Sequence, residues 1–166
     1  MKEDNITKFT IIICATFFIS SLTQNAYCTN GCKSSLMVLL VGLLGILTEI
    51  GAIASLIIDK INGHSSSVSN NIGATFTWLA NPILLFSMIL LRHSIRTALI
   101  LSLVSTMLIL YFLVFDKVLD NEAGHYIKVS ELKLGYWLWL LSSLTILSGS
   151  LIITKMRIKN NEKKSL

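Results

Sequence analysis

An all-α helical bundle embedded in a membrane is the fold class this sequence predicts, and three observations predict it. Of 166 residues, 53 % are hydrophobic and only 14 % are charged, where a soluble domain carries about 25 % charged residues. Mean hydropathy is +0.70. The apolar residues gather in five long runs, and a run that crosses lipid must satisfy its own backbone hydrogen bonds, which favours helices. None of the runs alternates in the manner of a membrane barrel. These features exclude an ordinary soluble enzyme, a nucleic-acid-binding domain and a disulfide-stapled secreted module.

A spanning helix needs about 20 mainly apolar residues to cross roughly 30 Å of hydrocarbon. Residues 9–22 form a short, aromatic-rich run; 36–58 is long and rich in Leu, Ile and Gly, interrupted by Glu49. Residues 72–91 carry Trp78 and the chain's single proline, Pro82; 97–115 is nearly all aliphatic; 134–153 opens on Tyr136, Trp137 and Trp139. The expectation is one polytopic domain of four or five transmembrane helices, closed by a basic cytoplasmic tail over 154–166. Residues 92–96 are too few for anything but a tight antiparallel hairpin. No loop is long enough to fold as a domain, so any soluble catalytic domain belongs to a partner.

Lys and Arg set the orientation. The tail holds Lys155, Arg157, Lys159, Lys163 and Lys164, and the hairpin holds Arg92 and Arg96. Two runs separate these regions, so both are expected in the cytoplasm, with Tyr136, Trp137 and Trp139 at the outer headgroup zone. With five spans the N-terminus is outside, and eight basic residues (Lys33, Arg92, Arg96 and the tail) lie inside against six outside. With four, the 36–58 run is re-entrant or packed on the outer side, Lys2 and Lys8 join the interior, and the division is nine against five. Charge favours four spans, hydrophobicity of 36–58 favours five, and the expectation is set at four. A signal-peptide reading of the first run is disfavoured by its poor small-x-small pattern, with Gln24 three residues before a cut after Ala26.

Candidate chemistry is sparse. Cys28 and Cys32, in the loop after the first run, could close a disulfide if that loop faces an oxidising compartment, and stay reduced if it faces the cytosol. Two cysteines without nearby histidines make half a zinc site, and Cys14 reads as a small packing residue. Glu49 is a carboxylate inside an apolar run, which by default marks a functional site. Gly42, Gly45, Glu49 and Ala52 share one helical face, made of residues that permit close helix approach. The face reads first as packing, with a proton- or ion-coupled carboxylate as the alternative. Asn81-Pro82 predicts a kink near 79–81, with Asn81 free to bond an exposed carbonyl or a neighbouring helix. Ser102, Ser105 and Thr106 share a face, as do Ser142, Thr145 and Gly149, and both read as packing seams, with pore lining as the alternative. His64, His93 and His125 lie in different loops without ligand spacing. No HExxH, GxSxG, P-loop or paired-carboxylate motif is present, and no cofactor or metal is expected.

At 78–82 (Trp-Leu-Ala-Asn-Pro), at 135–142 (Gly-Tyr-Trp-Leu-Trp-Leu-Leu-Ser) and at Tyr27-Cys28-Thr29…Cys32, the chain resembles a recurrent type of small bacterial polytopic membrane protein. Size, helix count and charged tail are also similar to the membrane subunit of the Kiwa anti-phage defence system. That resemblance implies four spans, an oligomeric membrane sensor and anchor, and a cytosolic DNA-binding partner, with no direct nucleic-acid binding by this chain. The expected function is a non-enzymatic, homo-oligomeric subunit of the bacterial inner membrane. It would recruit a cytosolic protein, or contact anionic lipid, through Arg92, Arg96, Lys155, Arg157 and Lys159. The alternative is a small channel lined by Glu49 and the serine seams.

Overall fold

The computed structural model describes residues 2–43, 54, 57–58, 61–62, 77–114, 117–119 and 126–162. Gly45, Glu49, Ala52, His64, His125, Lys163 and Lys164 lie outside the described residues, and with them most of the face built on Glu49. The described chain is mostly helical: α1 (Lys2–Leu22), α2 (Ala80–Leu90), α3 (Ile95–Tyr111) and α4 (Leu134–Glu162). Residues 35–43 are also helical. Two helices, Glu3–Leu22 and Leu134–Asn161, are long and apolar enough to cross a membrane.

The helices run antiparallel. In α1 the buried residues Thr7, Thr10, Cys14, Phe18 and Ser21 recur every three or four positions, one stripe of a 3.6-residue helix. That stripe lies along α4, from the Arg157–Glu3 ion pair (2.5 Å) at one end, past Thr10 against Gly149, to the start of α4 beside the end of α1. The turn at 91–93 folds α3 back on α2, where Ser87 Oγ donates to the Ala98 carbonyl (3.0 Å) and Ser105 Oγ to that of Ala80 (3.0 Å). Thr106 and Ser143 join α3 to α4 through their hydroxyls, and Tyr136 OH donates to the Ile109 carbonyl (2.9 Å). The start of α1, the 91–96 turn and the end of α4 therefore share one end of the bundle.

Its interior mixes hydroxylated and small residues with buried aliphatic ones such as Leu84, Ile109, Ile146 and Ile153. Ser87, Ser102, Ser105, Ser142, Ser143 and Ser150 are fully buried, while Phe9, Ile12, Phe86, Ile100 and Met107 stand about 60 % exposed. The serine hydroxyls stay satisfied: Ser87, Ser102, Ser105, Ser142 and Ser150 donate to a carbonyl three or four residues back or across a seam, and Ser143 bonds the Thr106 hydroxyl.

The opposite end carries β-structure, a departure from the all-α expectation. β1 (Asn25–Cys28), β2 (Cys32–Ser34) and β5 (Glu131–Leu132) form an antiparallel sheet in the order β2-β1-β5, and β3 (Lys117–Leu119) pairs with β4 (Tyr126–Lys128). Strands this short carry no readable alternation; they form because the helices bring the two connecting segments together. Two further boundaries differ from expectation. α4 continues through most of the basic tail, since Lys, Arg and Glu end an apolar run without ending a helix. The helical run around Pro82 is interrupted at Leu79, so that Pro82 falls in the first turn of α2, where a missing N–H costs least.

Candidate functional site

Beneath the three-stranded sheet lies a cavity of about 410 Å³, within the range of small-ligand sites. Phe18, Ser21 and Leu22 from the last turn of α1 form one side, and Val38, Leu39 and Gly42 from the 35–43 helix form another. Trp78 and Asn81 close it from the start of α2, and Gly135, Tyr136 and Trp139 from the start of α4. Tyr27 and Lys33 reach it from the sheet, and Phe112 and Val118 from the end of α3 and from β3.

Each wall has a local cause. Trp78 Nε1 donates to the Leu39 carbonyl (2.7 Å), fixing the indole against the 35–43 helix. Gly42 permits that approach, because a Cβ there would overlap the Trp78 ring. Pro82 cannot donate to the carbonyl four residues back, that of Trp78; Asn81 Nδ2 donates to it instead, at 3.1 Å. The rings of Tyr27, Phe112 and Tyr136 follow one another at 6.0 and 5.8 Å, and Tyr136 meets Trp139 edge-on at 6.2 Å. Gly135 lets α4 start against Ser35 and the Asn25 backbone.

A disulfide holds the roof: Cys28 and Cys32 are bonded across a tight turn and face each other in the β1–β2 register. β5 is tied to β1 by Ser130, whose N–H and hydroxyl both donate to the Cys28 carbonyl (2.9 and 2.8 Å), and by the Lys133 N–H to the Ala26 carbonyl (2.8 Å). Two buried side-chain polar atoms among the described residues lack a partner, Ser35 Oγ and Trp139 Nε1, and both residues line the cavity. Buried polar groups are nearly always paired, so their coincidence in one cavity is informative.

The remaining residues singled out in the sequence lie elsewhere. Arg92, Arg96, Lys155, Arg157 and Lys159 are exposed at the other end of the bundle, with Arg157 held by Glu3. His93 is exposed in the same region, and Cys14 is buried and free in the α1 stripe. No group of three or more His, Cys, Asp or Glu able to hold a metal occurs among the described residues. The cavity itself escaped sequence reasoning. Its one signal was that the Trp-Leu-Ala-Asn-Pro and Gly-Tyr-Trp-Leu-Trp marks both place aromatic residues at a helix start, Trp78 in the first and Tyr136, Trp137 and Trp139 in the second.

No family model, no characterised protein and no solved structure matches the chain. The site is read from its own residues.

The disulfide gives a direct test of the roof. In intact cells Cys28 and Cys32 should resist a membrane-impermeant maleimide until an impermeant reductant is added, then label together. Labelling of both without reductant by a permeant maleimide, and by no impermeant one, would mean that the pair is free and faces the cytosol.

Proposed function

We propose that this chain is a non-enzymatic, multi-pass subunit of a bacterial inner membrane, homo-oligomeric, that senses or anchors there and recruits a cytosolic protein. The observation that carries the reading is the number of large apolar side chains on the outer faces together with the fully buried serines between the helices. Many large apolar residues of α1, α2 and α3 face outward, while hydroxyls share the seams with Leu84, Ile109, Ile146 and Ile153. Water-soluble proteins bury their large apolar side chains. Helices in lipid gain nothing by doing so, and associate through small residues, close packing and interhelical hydrogen bonds.

The antiparallel order of the four helices fits the four-span topology, in which α1 and α4 are long enough to cross by themselves and α2 and α3, at 11 and 17 residues, are shorter. They group the start of α1, the 91–96 turn and the end of α4, so Arg92, Arg96, Lys155 and Lys159 form one basic surface, which the positive-inside rule assigns to the cytoplasm. The disulfide-bonded sheet then lies outside, where such bonds persist. Tyr136, Trp137 and Trp139 fall at the outer interface. A basic cytoplasmic surface of this kind fits an anchor that works through a soluble partner. The resemblance to the Kiwa membrane subunit makes anti-phage defence the proposed setting.

A reporter active only outside the cytoplasm, fused after Glu162, is expected to be silent. Strong external activity would overturn the orientation. Affinity purification in a mild detergent is expected to yield the protein as an oligomer with a stoichiometric soluble partner. Arg92→Glu combined with Lys155→Glu should remove the partner and keep the oligomer. Ion flux from liposomes containing this chain alone would place the channel reading first.

A further inference from the structure

From the cavity under the sheet we infer a binding site for an anionic amphiphile: an acyl chain in the aromatic pocket, with its oxygen-bearing head at Ser35 and Lys33. The assignment rests on the membrane reading, which sets this cavity at the outer headgroup level. Three features of the cavity select the ligand. Its walls are apolar along their length, from Phe18 and Leu22 to Val38 and Trp78, and so suit a hydrocarbon chain. Ser35 Oγ and Trp139 Nε1 are buried donors with no partner. Ser35 abuts Gly135, and Trp139 stands one helical turn deeper on the same face of α4, about 6 Å along its axis.

A carboxyl or ester group entering from the roof presents acceptor oxygens to Ser35 Oγ, and the Trp139 indole lies deeper, beside the start of the acyl chain. Water fits less well, because an ordered water needs two to four polar partners and these two donors are set in largely apolar walls. Lys33, exposed on β2 and bordering the cavity, supplies the charge complement. A compact hydrophilic ligand would leave the aromatic wall unused, and a neutral hydrocarbon would leave both donors unmet.

A free fatty acid and an outer-leaflet phospholipid present this same chemistry, and brominated versions separate them. Bromine quenches tryptophan fluorescence only at short range, and of the chain's three tryptophans Trp78 and Trp139 line the cavity while Trp137 does not. Full-length protein carrying Trp137→Phe, delipidated in a nonionic detergent, is titrated with dibromostearate and separately with dibromo-phosphatidylglycerol. The expected result is saturable quenching with at least one of them. Val38→Phe, which puts a ring into the cavity and narrows it, should weaken it several-fold. Lys33→Gln, at an exposed position, should weaken it about fivefold and leave quenching by the uncharged dibromostearyl alcohol unchanged.

Saturation by the fatty acid alone identifies a free amphiphile, and saturation by the phospholipid alone identifies a bilayer lipid. Quenching that is linear in ligand and identical in Val38→Phe is partition into the micelle and overturns the assignment. Loss of the disulfide or of monodispersity would mark Val38→Phe as misfolded, and the Lys33→Gln comparison then decides. Binding in detergent does not depend on orientation in the cell, so this result and the reporter result can fail separately.

Discussion

Gly149→Leu is expected to separate α1 from α4 and to produce one of the two largest losses of stability of any single change considered. These two helices form the most extensive pairing in the bundle. At their crossing a Cβ on Gly149 would overlap the Thr10 side chain. Neither can retreat, because the Arg157–Glu3 ion pair and the sheet hold the two ends. Overpacking a tight seam costs about 1–3 kcal/mol, and each kcal/mol lowers Tm by roughly 2–4 °C for a chain of this size. The measurement is thermal unfolding in one fixed detergent, followed by size-exclusion chromatography. Ser148→Leu is the control: Ser148 is exposed on the adjacent face, and the same added bulk there should leave Tm unchanged. Equal effects at 148 and 149 would mean that the seam runs elsewhere on α4.

Tyr136→Ala is expected to cost more, about 3–5 kcal/mol if it behaves as aromatic-to-alanine changes do in other cores. Tyr136 is 3 % exposed and touches Phe112, Trp137 and Trp139 through ring contacts. Its hydroxyl reaches the Ile109 carbonyl of α3. Removing the ring enlarges the cavity and releases the end of α3 from the start of α4. Tyr136→Phe keeps the ring contacts and loses only the hydrogen bond, a loss of about 0.5–1.5 kcal/mol. The ratio of the two effects is the informative quantity. Similar losses would mean that the hydroxyl, and not the ring, joins α3 to α4.

The helices were legible in the sequence because long apolar runs without breakers favour helices, and the runs at 9–22, 97–115 and 134–153 coincide with α1, α3 and α4 over most of their lengths. Their ends were not: Lys2 to Lys8 precede the apolar run yet belong to α1, where Glu3 and Asp4 suit a helix N-terminus. The hydroxyl faces were legible as faces, but their partners were not. That Ser105 meets Ala80 and Thr106 meets Ser143 depends on helix crossings, and no spacing within one helix encodes those. The Asn-Pro step was legible as a disturbance of the helix, and its bond to Trp78 is local enough to follow from the missing donor. The cavity was hidden for the opposite reason. Its walls come from residues as far apart as Phe18 and Trp139, and each aromatic taken alone reads as an interface anchor.

The junction between β5 and α4 has a mechanical consequence. Lys133 alone separates the strand, which ends at Leu132, from the helix, which begins at Leu134. There is no slack to absorb a displacement. α4 then runs 29 residues without a break, about 43 Å at 1.5 Å per residue, longer than the roughly 30 Å of a hydrocarbon layer. A shift imposed on β5 must therefore travel down a continuous rod and emerge as motion of Lys155 and Lys159 at its far tip. Glu3 grips that rod near the tip through Arg157, so α1 serves as its guide rail. A glycine pair inserted at 133 would act as a clutch, disconnecting the rod from the sheet while leaving both intact.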